Sequence, residues 1–190
     1  MMNGGSDEKG MKFVLNIVDS IFQLREKYKK REFTIGYRLS PEEPYEDGLT
    51  ITETLKLVKK PIQYIHISQK YYFKKARRGE KGGIEKFKTI HEETKEKVAL
   101  IGIGGIKDEK DFISALNSGF SVFIRVGVAS MINKDLGILL KEGKADKLSA
   151  ELDPEHKEKY SLPNNLWNIW LQDQDWLPPL KGKPRKKVEE

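Results

Sequence analysis

Three short segments of this 190-residue chain carry residue types that could hold and polarise a small anionic cofactor. Gly36-Tyr37-Arg38-Leu39-Ser40 presents a cation just before a Ser-Pro stop, and a guanidinium there can fork onto a carbonyl or an anionic ring edge. Ile101-Gly102-Ile103-Gly104-Gly105-Ile106 and Val126-Gly127-Val128 place glycines at the ends of apolar runs. Without Cβ atoms, Gly104, Gly105 and Gly127 let backbone amides come close to an anion, and a following helix adds the positive end of its dipole. Arg38, Gly104, Gly105 and Gly127 are therefore the candidate cofactor-binding residues, a phosphate site plus a cation. Each has a plainer reading: a strand-terminal arginine is often a solvated charge, and a Gly-Gly pair is often only a turn.

Other chemistries are excluded or ranked lower. The chain has no cysteine, which removes disulfides, thiolate metal sites and a cysteine nucleophile. His66 reads as a satisfied strand histidine, and His91-Glu92 lacks the second histidine of a zinc-binding helix, so no metal site is expected. Tyr71-Tyr72-Phe73-Lys74-Lys75-Ala76-Arg77-Arg78 mixes aromatics with cations, as a surface for single-stranded nucleic acid would. The net charge of +6 and pI near 9.2 point the same way. Charges of both signs are interspersed, however, and part of the excess sits in Lys181-Gly182-Lys183-Pro184-Arg185-Lys186-Lys187. A nucleic-acid partner is ranked last, and residues 71–78 are read as a lid beside an active site. No apolar run approaches the roughly 20 residues that span a bilayer, and the first residues lack the hydrophobic stretch of a secretory signal. A cytoplasmic soluble protein with no membrane partner is expected.

The elements that must position these residues alternate. Met11, Val14, Leu15, Val18, Ile21 and Phe22 recur at helical spacing, which predicts a helix from about residue 7 to Lys29-Lys30, capped at Ser6. Residues 33–39 predict a strand, and Thr50-Ile51-Thr52-Glu53 is a capping box opening a helix that Pro61 stops. Residues 62–67 predict a second strand, followed by a long basic loop from Ser68 to Gly83. Ile84, Phe87 and Ile90 mark a helix, and residues 98–103 form an apolar run expected of a strand buried on both faces. Asp108 and Asp111 have capping-box spacing before a helix whose buried face is expected at Phe112, Ile113 and Leu116. Residues 122–126 predict the fourth strand. An opening helix and then β-α four times over implies a parallel sheet. After about Ala145 the periodicity fades, and the tail with Trp167, Trp170 and Trp176 is expected to pack irregularly, its last residues disordered.

Taken together, these segments resemble the old yellow enzyme family of NADH-dependent flavin oxidoreductases. Gly4-Gly5-Ser6 with Met11-Lys12-Phe13-Val14-Leu15 resembles the element that opens the fourth helix of that barrel. Gly36 to Glu43 resembles strand five, Tyr64-Ile65-His66-Ile67-Ser68 strand six, Ile101 to Ile106 strand seven, and Gly127 the glycine after strand eight. The resemblance covers roughly residues 3–140 and implies a fold: α/β, a partial (β/α)8 TIM barrel of four parallel strands, barrel strands 5–8. Residues 1–144 would form the C-terminal half of an FMN-binding barrel, and 145–190 an extension packing on it. A complete barrel needs about 250 residues, more than this chain has.

The resemblance also implies FMN as cofactor, NAD(P)H as electron donor and a small-molecule electron acceptor such as an electron-poor alkene. Arg38 would contact the flavin ring, while Gly104, Gly105 and Gly127 would serve its phosphate. Two departures stand out: Val128 occupies the place of a phosphate-binding Arg, and Arg125 that of a usually small strand residue. The family's His-x-x-Asn/His-Gly-Tyr motif would lie upstream of residue 1, so no catalytic residue is assigned within the chain. The expected function is an FMN oxidoreductase by resemblance, truncated and impaired. The alternatives are a non-catalytic half-barrel that assembles with itself or with a separate N-terminal half through exposed strand edges, and a basic nucleic-acid-binding module.

Overall fold

Alternating helix and strand periodicity yields four short parallel strands in a computed structural model that describes residues 7–46, 48–59, 62–78, 82–83, 85–95, 97–172 and 177–183. The elements of the sheet run α1 (Asp7–Lys27), β1 (Gly36–Leu39), α2 (Ile51–Leu57), β2 (Tyr64–Ile67), α3 (Lys86–Thr94), β3 (Ala99–Gly102), α4 (Glu109–Asn117) and β4 (Phe123–Ile124). Then follow α5 (Val128–Ile132), α6 (Leu136–Lys141), two one-turn 3-10 helices, and α7 (Asn164–Trp170). The sheet order is β1-β2-β3-β4, every pair parallel, so the architecture is α/β as expected.

The chain divides into two compact units. The first comprises residues up to Gly104 together with Ser118–Ile124, and holds the whole sheet. The second comprises Gly105–Asn117 and the residues from Arg125 onward.

In the first unit the register sets Arg38 beside His66, His66 beside Ile101, and Ile101 beside Phe123. Side chains alternate across the sheet, and the two faces differ sharply. Leu39, Ile65, Ile67 and Leu100 are buried, on the face that α1, α2 and α3 cover. Burying each of these contributes roughly 1.5–3 kcal/mol. The row Arg38, His66, Ile101, Phe123 is half-buried to exposed, and Phe123 reaches 60% exposure. The expectation that the 98–103 run is buried on both faces therefore needs correcting. The strand alternates half-buried Ala99 and Ile101 with buried Leu100 and Gly102, because the described helices of this unit pack on one face.

Local rules explain the covered side. Thr50 Oγ1 accepts from the Glu53 amide at 3.4 Å while Glu53 Oε2 accepts from the Thr50 amide at 2.7 Å, the expected capping box. Gly102 leaves room for the Tyr72 ring: a Cβ there would meet Tyr72 Cε2 at 2.4 Å and Phe87 Cζ at 3.1 Å. Tyr72 stacks on Phe87 with centroids 4.4 Å apart, and its hydroxyl lies 2.6 Å from Ser121 Oγ.

The strands are shorter than the apolar runs suggest: β1 starts only at Gly36, and Val122 and Arg125 fall outside β4. On α4, Phe112 and Ala115 are buried whereas Ile113 and Leu116 are exposed, a correction to the expected face. Asp108 caps that helix by accepting from the Asp111 amide at 3.0 Å, but the Asp111 carboxylate takes the Lys107 amide at 2.9 Å instead of closing the box. The expected cap at Ser6, the stop at Pro61, the apolar Ile84 and the tail residue Trp176 lie outside the described residues, as do residues 184–190.

In the second unit, Leu152, Trp167, Trp170, Leu177 and Leu180 form a cluster of their own, with Tyr160 stacked on Trp167 at 5.7 Å. Leu152 and Leu180 form a parallel bridge. Tyr160 Oη accepts from the Asp153 amide at 2.7 Å. The Asp153 carboxyl is held below its ordinary range, first by the hydrogen bond from His156 at 3.0 Å. Two of the three tail tryptophans thus act as packing anchors.

The loops after β1 and β2 are fastened by one buried ion pair. Glu42 Oε2 lies 2.7 Å from Lys86 Nζ, with side chains only 1% and 4% exposed. Glu42 also accepts from the Arg77 and Arg78 amides at 3.0–3.1 Å. Burial pushes the Glu42 carboxyl upward, but Lys86 and the two amides outweigh it and hold the group below its ordinary value. A carboxylate with a lowered folded-state value contributes stability that is present above its unfolded value and lost as pH falls through the folded one.

Two outcomes are expected in urea unfolding. Glu42→Ala strands the Lys86 ammonium and costs about 3–5 kcal/mol near neutral pH. It also removes Glu42's share of the acid destabilisation seen in the unmodified chain; equal stability of the two proteins at neutral pH contradicts the clamp. Gly102→Ala forces the Tyr72–Phe87 stack to shift and costs about 1–3 kcal/mol.

Candidate functional site

Parallel α/β sheets place their chemistry at the C-terminal ends of the strands, where loops converge. At that end of the first unit stand Arg38, the penultimate residue of β1, and Gly104, two residues beyond β3. One strand separates β1 from β3, about 10 Å at the usual spacing. Arg38 belongs to the open face of the sheet; it is exposed, and its guanidinium donates to Ser68 Oγ at 2.8 Å. Ser68 follows β2, and its amide donates to Leu39 O at 2.8 Å, so the end of β1 and the end of β2 are locked together. Tyr37 points the other way, into the apolar seam of Val14, Val18, Leu39 and Val58, where burial pushes its phenol pKa up.

Gly104 has φ +137°, a region L side chains rarely adopt. A Cβ there would lie 2.7–2.8 Å from backbone atoms of Gln69, Tyr71 and Tyr72, and Gly104 O accepts from the Tyr72 amide at 2.9 Å. Its missing side chain thus admits the 69–72 loop, a structural demand that the sequence does not announce.

The other two candidate glycines belong to the second unit. Gly105 is exposed with φ +64°. Gly127 precedes α5; nothing lies within 4 Å of the position a Cβ would take, and its carbonyl accepts from the Ser130 and Met131 amides at 3.1 and 3.2 Å. Arg38 and Gly104 therefore share one end of one sheet, while Gly105 and Gly127 occupy turns of the other unit.

Several residues at the mouth of the sheet were not singled out from the sequence. Glu42 and Lys86 form the buried clamp, and Arg78 answers it by donating to Glu43 O and Gly48 O at 3.1 Å, and to Glu46 O. A signal for Lys86 did exist: it stands four residues before Ile90, which stands four before Thr94, and all three are buried. A lysine at that spacing on a buried helix face requires an anion. The ends of β1 and β2 and their loops bound an open cleft of about 160 Å³, lined by Ser40, Glu42, Ser68, Gln69, Lys70, Lys74, Arg77 and Lys86 among others.

The residues at this mouth fit a flavin nucleotide in part. An exposed guanidinium stands on the open face of the sheet, while the space beside Gly104 is filled by the 69–72 loop. Among the described residues no group of three or more His, Asp or Glu could hold a metal ion, and no helix is long and apolar enough to cross a membrane.

Comparison with known proteins gives this arrangement its context. Over 179 residues the chain is 36% identical to the Probable NADH-dependent flavin oxidoreductase YqiG of Bacillus subtilis (strain 168), covering 92% of this chain and 48% of that protein. It is 30% identical over 179 residues to the NADH:acrylate oxidoreductase of Vibrio harveyi, covering 87% of this chain and 17% of that protein. It is 27% identical over 175 residues to the NADH:fumarate oxidoreductase of Klebsiella pneumoniae (strain 342), covering 88% of this chain and 19% of that protein. The chain thus spans no more than 48% of the length of these relatives, which fits four strands of a partial barrel. The sequence profile of the NADH:flavin oxidoreductase / NADH oxidase family matches residues 2–147, the stretch that holds all four strands, and the chain belongs to that family.

Proposed function

We propose that this chain is the C-terminal half of an NADH-dependent FMN oxidoreductase barrel and that it needs further chain to bind the flavin well. The observation that carries the reading is the placement of Arg38, exposed on the uncovered sheet face at the strand ends, within a segment matched by the family. Arg38 would face the flavin ring, where a cation can stabilise negative charge on the reduced ring. Ser68 fixes the orientation of that guanidinium. By the family resemblance, backbone amides at Gly104, Gly105 and Gly127 would serve the phosphate, with Val128 adding no cation. When bound, FMN supplies hydride chemistry between NAD(P)H and an electron acceptor, while protein groups position and polarise it. Two relatives are named for acrylate and fumarate, both alkenes conjugated to a carboxylate, which supports an electron-poor alkene as acceptor.

A second reading, assembly of half-barrels, has its own support. On α1, Phe13, Ile17, Ile21 and Leu24, with Tyr28 just past its end, form an exposed apolar stripe at helical spacing. The edge strands β1 and β4 add unpaired backbone groups. These surfaces suit either a second copy or the complementary half.

Flavin fluorescence titration tests the first reading. The chain alone is expected to give no saturable quenching at micromolar FMN and no NADH oxidation. Mixing it with the part of the Bacillus subtilis relative left outside the alignment is expected to produce both, with Arg38→Ala weakening FMN roughly tenfold or more. Tight FMN binding and NADH oxidation by the chain alone overturn the half-barrel reading; failure of the mixture overturns the flavin reading. For the second reading, light scattering after size exclusion is expected to give a mass above that of one chain. A stable monomer at all concentrations rules out self-association.

A further inference from the structure

We draw no further inference here: the strongest candidate, the exposed apolar face of α1 formed by Phe13, Ile17, Ile21 and Leu24, carries none because nothing in the structure shows what covers it.

Discussion

A parallel sheet is stable when both of its faces are covered, and among the described residues of the first unit helices pack this one on a single side. The helices bury Leu39, Ile65, Ile67 and Leu100, while Arg38, His66, Ile101 and Phe123 line the other face half-buried or exposed. Most features of the first unit follow from that asymmetry. Tyr64 lies over Gly36 on the open face, and a Cβ at Gly36 would meet its ring at 2.1–2.3 Å, so the aromatic ring finds cover where no further strand supplies any. The chain spans 48% of the length of a family relative, and α1 carries an exposed apolar stripe.

The strand ends are organised by hydrogen bonds to a few charged groups. Loops cannot satisfy their backbone groups by themselves when packed, and here two side chains do it reciprocally. Glu42 collects amides from the loop after β2, and Arg78 donates to carbonyls of the loop after β1. Lys86 supplies the counter-charge from α3. A buried ion pair of this kind gives little net stability over an apolar pair, but it penalises any loop arrangement that leaves one partner alone. The result is a fixed rim on which Arg38 and the basic residues of the 69–78 loop are displayed.

Much of this was legible in the sequence, for identifiable reasons. The β-α alternation and the Thr50–Glu53 box follow from local spacing and hydrogen-bond chemistry, and the structure bears them out. The one-sided burial of β3 was not legible, because an apolar run reads the same whether its second face is covered by this chain or by another. The buried face of α4 was misjudged since Phe112, Ile113 and Leu116 fit a helical stripe no worse than Phe112 and Ala115. Glu42 and Lys86 were hidden among many exposed charges, 34% of the chain. Gly104 was read as an opening for an anion, and the sequence did not announce the packing demand that its missing side chain also meets by admitting the 69–72 loop.

Amide hydrogen exchange on the dilute chain measures the one-sided sheet most directly. Slow exchange is predicted within β2 and β3 and fast exchange at the outward amides of the edge strands β1 and β4, which slow when the uncovered segment of the Bacillus subtilis relative is added. Edge amides already as protected as those of β2 in the dilute chain, and unchanged by that segment, would contradict the account.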